Sequence, residues 1–210
     1  MHQPPQDPTA FADVLTAAFP AALADEAKGA LEVMPHVRLA PVAPFDVEVQ
    51  GETVTIPSRI YHDEPDAELQ ASLTATQQLI LHCLYSRHCD GRVRQRHLER
   101  IVASDEPWVV PFVVQLAGEY VVEILAAITR GLPGLAISGS AQRRLYGEFI
   151  VRNPAFFART ERRLVSYWTC YYRWMHEAFA TYPGAVLVDE LRAAATEQAG
   201  RPCPRQTPRS

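Results

Sequence analysis

The sequence predicts a mainly α-helical fold: a single-domain helical bundle or orthogonal array of about seven helices with one small β-hairpin. Apolar residues recur every three or four positions through most of the 210-residue chain, which is the period of a helix with one buried face. Apolar and polar residues alternate strictly only around Gly51, which indicates two short strands. Hydrophobic residues make up 48% of the chain, enough to fill one sizeable core.

We expect one domain over residues 10–199, with disordered ends at residues 1–9 and 200–210. Both ends are polar and proline-rich and show no apolar period, so neither should pack. The formal charge of −4 is divided unevenly, because residues 1–70 carry three basic and twelve acidic side chains whereas residues 71–210 carry seventeen and twelve. The two parts are therefore expected to attract each other.

The first half of the chain predicts four helices and the hairpin. Apolar spacing between Ala10 and Val33 gives two short helices that meet at Pro20. The segments FDVEVQ and TVTIPSRIY form the hairpin, at about residues 45–61. A helix then begins near Leu73 and is stopped by Asp90-Gly91, and the next helix follows at once.

The second half predicts one long buried helix over residues 108–128, capped by Ser104 or Asp105. A further helix covers residues 141–152 and is ended by Asn153-Pro154. A long aromatic helix follows, over residues 155 to about 182, with Phe157, Leu164, Trp168, Tyr171, Met175 and Tyr182 on its buried face. Pro183-Gly184 separates it from a final amphipathic helix.

The long buried helix carries a polar stripe, because Gln115, Glu119 and Glu123 recur at four-residue spacing. Such carboxylates need cationic partners, and the upstream segment 86–100 offers Arg87, Arg92, Arg94, Arg96 and Arg100. The stripe is therefore interpreted as a set of structural ion pairs. The alternative is an enzyme or small-ligand-binding protein in which Glu119 and Glu123 act as acid and base, with His97 or Arg94 nearby to bind an anionic substrate.

A dense group of histidines and cysteines precedes this helix: His82, Cys83, His88, Cys89 and His97. His97 can fold back towards His82 after the turn at Asp90-Gly91. The spacing matches no zinc-binding pattern, so we expect no metal and no cofactor; a metal site formed by His82, Cys89 and His97 is the alternative.

The chain shows no signal peptide and no membrane segment, and four scattered cysteines indicate reduced thiols, so we expect a cytoplasmic protein. Phosphate-binding glycine loops, nucleophile elbows, His-Glu-x-x-His motifs and dinucleotide fingerprints are absent from the sequence. The segment 141–173 interleaves seven arginines with aromatic residues, which would suit nucleic acid, although its periodicity favours burial of the rings.

Two resemblances can be stated. The run CDGRVRQRHLERI, followed by EPWVVPFVVQL, resembles the second helix of a HEAT-type repeat and the start of the next repeat. The block from Leu81 to Leu125, together with SYWTCYYRW, is similar to an uncharacterised family of bacterial all-helical proteins. Neither resemblance implies an activity or a role for any residue.

The sequence alone does not determine the function. The leading hypothesis is a non-enzymatic cytoplasmic interaction or adaptor protein, whose Arg92, Arg94, Arg96, Arg100 and Gln115 bind an acidic protein partner. Nucleic acid is a less favoured partner, and a homodimer is a further alternative. We expect no enzyme, with the acid–base hypothesis for Glu119, Glu123 and His97 standing as the alternative.

Overall fold

The computed structural model describes residues 8–35, 39, 41 and 44–208. The fold is mainly α-helical with one small two-stranded sheet, which confirms the predicted class. Contacts between residues divide the chain into two compact units, Met1–Ile101 and Val102–Ser210. The interpretation as a single domain stays a prediction. Of the ends expected to be disordered, residues 1–9 and 200–210, positions 1–7, 209 and 210 lie outside the described residues, whereas Pro8 and Thr9 begin the first helix.

The first unit contains five of the ten α-helices found in the described residues, together with both strands. Its elements are α1 Pro8–Thr16, α2 Ala24–Glu32, β1 Phe45–Val49, β2 Glu52–Ile56, α3 Ala67–Ser72, α4 Ala75–Tyr85 and α5 Gly91–Ile101. A short 3₁₀ turn, Ala21–Leu23, follows Pro20, so the two N-terminal helices meet at this proline as expected. Helix α3 has no counterpart among the predicted helices.

The hairpin is antiparallel, with Phe45 opposite Ile56 and Val47 opposite Val54. Its turn needs positive φ at both central residues, 53° at Gln50 and 89° at Gly51, a geometry that matches the twist of the strands. β2 ends at Ile56 because Pro57 has no N–H for the ladder. The main-chain N–H of Thr55 donates to the carbonyl oxygen of Ala17 at 2.8 Å, which fixes the hairpin against the chain after α1.

Helices α4 and α5 pack against each other as a helical hairpin. A reciprocal capping box begins α4, because the Thr74 hydroxyl accepts from the N–H of Gln77 and the Gln77 side chain accepts from the N–H of Thr74. Asp90 caps α5 by accepting from the N–H of Arg92 at 2.7 Å. The buried Arg94 holds the connection, since its Nη1 donates to the carbonyl oxygens of His88 and Cys89, both at 2.9 Å.

The second unit is built from the other five helices. They are α6 Val110–Leu116, α7 Val122–Gly131, α8 Ala141–Arg152, α9 Pro154–Tyr167 and α10 Pro183–Ala199, with a π-helical turn over Trp168–Tyr172 and 3₁₀ turns over Pro133–Ala136 and Phe179–Thr181. α10 packs against α7 and α8, and α6 packs against α8 and α9. This arrangement surrounds an apolar core that includes Phe112, Leu125, Phe157 and Leu191.

The long helix predicted over residues 108–128 is wrong, because the chain turns between α6 and α7. Gly118 lies in that turn, against α9: a Cβ atom built on it would stand 3.0 Å from the carbonyl oxygen of Thr160. Val121 then takes an extended conformation, with φ −82° and ψ 108°, before α7 begins. The polar stripe is therefore not continuous, since Gln115 lies on α6, Glu119 in the turn and Glu123 on α7.

The aromatic helix is also shorter than predicted, since α9 ends at Tyr167 and passes into the π-helical turn. Trp168 turns the chain back, because its Nε1 donates to the carbonyl oxygen of His176 at 2.8 Å and its ring meets Phe179 edge to face. Phe157, Leu164, Trp168 and Tyr182 are buried as expected. Tyr171 and Met175, which we expected to be buried, are 58% and 57% exposed.

The described part of the C-terminal segment, residues 200–208, has no regular structure but makes contacts that the sequence did not predict. Gln206 donates its main-chain N–H to the Glu161 carboxylate at 3.1 Å, and Arg192 donates to the hydroxyl of the buried Thr207 at 3.1 Å. The buried Glu161–Arg192 ion pair thus attaches this segment to α9 and α10. Within the described residues, the structure contains no helix that could span a lipid bilayer.

Candidate functional site

A cavity of about 470 Å³ opens in the first unit, beside α4 and α5. Its volume falls in the range of small-molecule sites, roughly 300–1,000 Å³. The lining residues are Glu64, Gln70, Ala71, Gln78, Leu81, His82, Arg96, His97 and Arg100. We refer to this cavity as the His82–His97 pocket. Apart from Leu81 and Ala71 its lining is polar, and it contains two arginines against one carboxylate.

The helical hairpin brings the two histidines of the pocket together. His82 lies on α4 and His97 on α5, and their Nδ1 atoms are 2.9 Å apart, which is a hydrogen-bond distance. The buried ring of Tyr85 stacks on His97 with ring centroids 5.0 Å apart and thereby fixes the plane of the imidazole. The sequence expectation that His97 folds back towards His82 agrees with this geometry.

Glu64 reaches the pocket from the irregular segment before α3. This segment is fixed to the end of α4, because Ile60 and His88 form a parallel bridge in which Ile60 donates to the carbonyl oxygen of Arg87 and accepts from the N–H of Cys89, both at 3.0 Å. The hydroxyl of Tyr85 also donates to the carbonyl oxygen of Asp63, at 2.5 Å.

The Glu64 carboxylate contacts two side chains of α5, His97 and Arg96. One oxygen lies 2.8 Å from Nε2 of His97, and the other pairs with the guanidinium of Arg96. Burial alone raises the pKa of Glu64, but the hydrogen bond from His97 and the charge of Arg96 outweigh it and hold the pKa below its usual value. Glu64 is therefore ionised at neutral pH.

Both histidines are neutral at neutral pH. Burial lowers the pKa of His82 to about 4, and the charge that His97 carries when protonated and the charge of Arg100 act in the same direction. Burial also lowers the pKa of His97, although the neighbouring Glu64 opposes this change. A neutral imidazole has one N–H and one lone pair, so each ring is both a donor and an acceptor.

Arg100 supplies the available positive charge of the pocket. It lies in the last turn of α5, it is exposed, and within the part of the chain that the structure describes its side chain makes no hydrogen bond or ion pair. Arg96 is partly neutralised by Glu64. The side chains of Gln70 and Gln78 are each anchored through Nε2, to the carbonyl oxygens of Pro65 at 2.8 Å and Leu73 at 3.0 Å.

The predicted binding residues are only partly brought together. Arg96 and Arg100 line the pocket, whereas the exposed Arg92 does not. Arg94 is buried and bonds to main-chain carbonyls, so it is not part of a binding surface, contrary to the prediction. Gln115 is buried on α6 and belongs to the second unit.

The predicted acid–base pair, Glu119 and Glu123, is separated by its surroundings. Glu119 is fully buried and pairs with Arg163 of α9 at 3.4 Å, so its cationic partner comes from a helix other than the one the sequence suggested. Glu123 is exposed at the start of α7. The expectation of a neutralised buried carboxylate therefore agrees with Glu119 and is wrong for Glu123.

The alternative metal site has two of its three residues in one place. His82 and His97 meet, but Cys89 is exposed, and its Sγ lies 3.9 Å from Nε2 of the neighbouring His88. Over the described ranges, no three His, Cys, Asp or Glu side chains are grouped as a metal ion requires.

Sequence reasoning missed Glu64, Gln70 and Gln78. The run HDEPD at residues 62–66 holds three carboxylates, and a carboxylate is the usual partner of a buried histidine, so this run was an available signal. Nothing in the sequence indicates which of the three meets His97. The glutamines lie on α3 and α4 and follow no motif.

Of the aromatic residues predicted to fill the core or to form a nucleic-acid groove, some are buried and others are exposed. Tyr120, Tyr167 and Tyr171 form a cluster at the surface of the second unit, with ring centroids 5.7–6.2 Å apart. Trp174 is 80% exposed and donates to the carbonyl oxygen of Tyr171. Comparison of the chain with protein-family models, with curated proteins and with solved structures finds no match.

Proposed function

We propose that the protein binds a small anionic molecule in the His82–His97 pocket. The observation that supports this most directly is the guanidinium of Arg100, which lines a cavity of about 470 Å³ and has no partner among the described residues. Arginine is suited to bind carboxylate or phosphate through two parallel hydrogen bonds. An anionic ligand fits this lining better than a cationic one, because the one carboxylate of the lining is already shared by Arg96 and His97.

The proposal predicts that substitution of Arg100 weakens anion binding. Isothermal titration calorimetry measures the binding of inorganic phosphate, benzoate and phenylacetate, with benzamide as the uncharged comparison. Arg100→Gln should weaken binding of any anion that binds the wild type by at least about tenfold, because a hydrogen bond to a charged group contributes roughly 1.5–3 kcal/mol.

Arg92→Gln is the matched control. Arg92 is exposed on the same helix but does not line the pocket, so its loss should leave affinity within about twofold of the wild type. Equal weakening by both substitutions would show that general surface charge, and not the pocket, attracts the anion. Failure of every anion to bind the wild type would contradict the proposal.

A second candidate function is the binding of an acidic protein partner, which was the leading hypothesis from the sequence. The supporting observation is that Arg92, Arg96 and Arg100 are exposed and follow one another at four-residue spacing on α5, so they form a row on one face of that helix. An acidic segment lying along this row would lose affinity in Arg92→Gln as well as in Arg100→Gln. The same two variants therefore separate the candidates.

A further inference from the structure

We infer that the ligand of the His82–His97 pocket carries an O–H or N–H donor beside its anionic group, as hydroxy acids and amino acids do. This inference rests on the proposed function, because it assumes that an anion binds to Arg100. It is carried by the hydrogen-bond chain Glu64–His97–His82, whose geometry fixes which nitrogen of each ring bears the proton. The chain ends at Nε2 of His82.

The carboxylate of Glu64 determines the tautomer of His97. The Glu64 oxygen lies 2.8 Å from Nε2 of His97, and an ionised carboxylate only accepts hydrogen bonds, so this nitrogen bears the proton. In a neutral ring the other nitrogen, Nδ1, then has a lone pair. The opposite tautomer would set a lone pair of His97 against the carboxylate, which is repulsive.

His97 in turn determines the tautomer of His82. The two Nδ1 atoms are 2.9 Å apart and share one hydrogen bond, so the lone pair on His97 requires the proton to be on Nδ1 of His82. Nε2 of His82 is left with a lone pair, and it has no hydrogen-bond partner among the described residues. His82 lines the pocket and is only half-buried, so a ligand can reach this acceptor.

The two glutamines of the lining add acceptors to the same pocket. Each donates from Nε2 to a main-chain carbonyl, and the Oε1 atoms of Gln70 and Gln78 receive no hydrogen bond from the described residues. A bare carboxylate can pair with Arg100 but can offer nothing to Nε2 of His82 or to these oxygens. A ligand with a donor satisfies both kinds of group, and a polar group left unpaired on binding lowers affinity.

Three probes of similar size test the inference by isothermal titration calorimetry at neutral pH. Phenylacetate has no donor, mandelate adds a hydroxyl and phenylglycine adds an amine at the same carbon. We expect mandelate or phenylglycine to bind the wild type about five- to tenfold more tightly than phenylacetate, the effect of one added hydrogen bond. Preference for mandelate alone would identify a hydroxy acid, and preference for phenylglycine alone would identify an amino acid.

Variants of His82 connect the preference to its acceptor. His82→Phe removes this acceptor and should reduce the preference for the donor-bearing probe over phenylacetate to within about twofold. His82→Gln offers a side-chain oxygen as a replacement acceptor and should keep part of the preference. If His82→Phe does not fold, the ¹⁵N signal of Nε2 in the wild type gives the answer, because it should shift with the preferred probe and not with phenylacetate.

The outcomes separate the inference from the proposed function. If all three probes bind equally and all are weakened by Arg100→Gln, the inference is overturned and the proposed function stands. Retention of the full preference in His82→Phe, or an Nε2 signal that does not respond, also overturns the inference. If phosphate or benzoate binds but none of the three probes does at millimolar concentration, the inference is overturned and the proposed function stands. If no anion binds, the proposed function fails and the inference fails with it.

Discussion

The Glu64 carboxylate contacts two neighbouring side chains, so its substitution changes the surroundings of both. Its carboxylate orients His97 and neutralises part of the Arg96 charge. We therefore expect Glu64→Gln to raise the affinity for phosphate about fivefold, because removal of one negative charge a few ångströms from a bound anion is worth about 1 kcal/mol at a partly solvated site. Calorimetry with inorganic phosphate measures this change.

Asp63→Asn is the control for Glu64→Gln. It removes a carboxylate from the preceding, exposed position, which does not line the pocket, so phosphate affinity should change little. If both substitutions raise the affinity equally, the effect comes from the net charge of the chain and the pairing of Arg96 has no part in it.

His82 should make the stability of the protein depend on pH in a definite direction. Its pKa is about 4 in the folded chain against an ordinary value of 6.5, so the folded state resists protonation that the unfolded state accepts. The stabilisation is complete above pH 6.5 and is lost as pH falls towards 4. The lowered pKa of His97 acts in the same direction, whereas Glu64 acts only below its ordinary value of 4.5.

Urea denaturation at a series of pH values measures this dependence. The free energy of unfolding of the wild type should fall as pH is lowered from 6.5 to 4, and the fall should be smaller in His82→Gln, which has no imidazole at this position. Comparison of slopes removes any constant destabilisation by the substitution. Parallel slopes in the two proteins would contradict the assignment.

Single residues of the site differ in how far the sequence reveals them. The proximity of His82 and His97 follows from two helical periods and one turn at Asp90-Gly91, so it could be predicted from local patterns. The role of Glu64 depends on the bridge between Ile60 and His88, a contact between segments 28 residues apart in the chain. No periodic pattern in the sequence predicts this contact. The sequence therefore does not indicate which of the three nearby carboxylates meets His97.

At the scale of elements, periodicity predicts where helices lie better than where they end. The apolar pattern runs on through α6 and α7, because the turn between them keeps Ala117, Gly118 and Glu119 buried and brings only Tyr120 to the surface. A turn that stays buried does not interrupt an apolar pattern, and Gly118 alone is a weak stop signal. The end of α9 was missed for a similar reason. Trp168 begins the π-helical turn and is buried there, as it would be in the predicted longer helix, so the apolar pattern does not mark the change.

The contact between α8 and α10 gives a prediction about an element interface. Glycine in a helix usually costs about 0.5–1 kcal/mol relative to alanine, so Gly147→Ala would be stabilising on an isolated helix. Here a Cβ atom on Gly147 would stand only 2.5 Å from the carbonyl oxygen of Ala194 on α10. We expect Gly147→Ala to lower the free energy of unfolding by about 1–3 kcal/mol, because the helices must move apart.

Val151→Ala is the matched control on the same helix. Its side chain is 42% exposed, and the substitution should change stability by less than about 0.5 kcal/mol. Chemical denaturation of both variants measures the difference. A Gly147→Ala protein more stable than the wild type would show that helix propensity outweighs the close approach of α8 and α10.

At the scale of the whole molecule, the pattern of apolar and polar residues predicts the fold class but does not predict the site. The helical pattern and the single alternating segment were sufficient for a mainly α fold with one hairpin. The overall charge would not direct attention to the first unit as an anion-binding region, because residues 1–101 carry eight basic and fourteen acidic side chains. The pocket depends instead on the arrangement of a few residues: Glu64 contacts Arg96 and His97, and Arg100 is left available.

The division into two compact units allows a test of the predicted single domain. The second unit has its own apolar core from α6–α10. Its buried carboxylates also find their cations within the unit, Glu119 at Arg163 and Glu161 at Arg192. We therefore expect residues 102–210, expressed alone, to give a cooperative thermal transition by circular dichroism and a dispersed amide NMR spectrum.

Glu161→Leu in the same segment is the control for specific folding. It removes the buried carboxylate of the Glu161–Arg192 pair and leaves the guanidinium with only the half-exposed Asp189 as an ionic partner. Loss of one member of a buried pair costs up to roughly 3–5 kcal/mol, so the cooperative transition should fall to a lower temperature. Glu177→Gln, at an exposed carboxylate, should leave the transition unchanged. One domain over residues 10–199 requires the opposite result, a segment 102–210 that is unfolded until the first 101 residues are present.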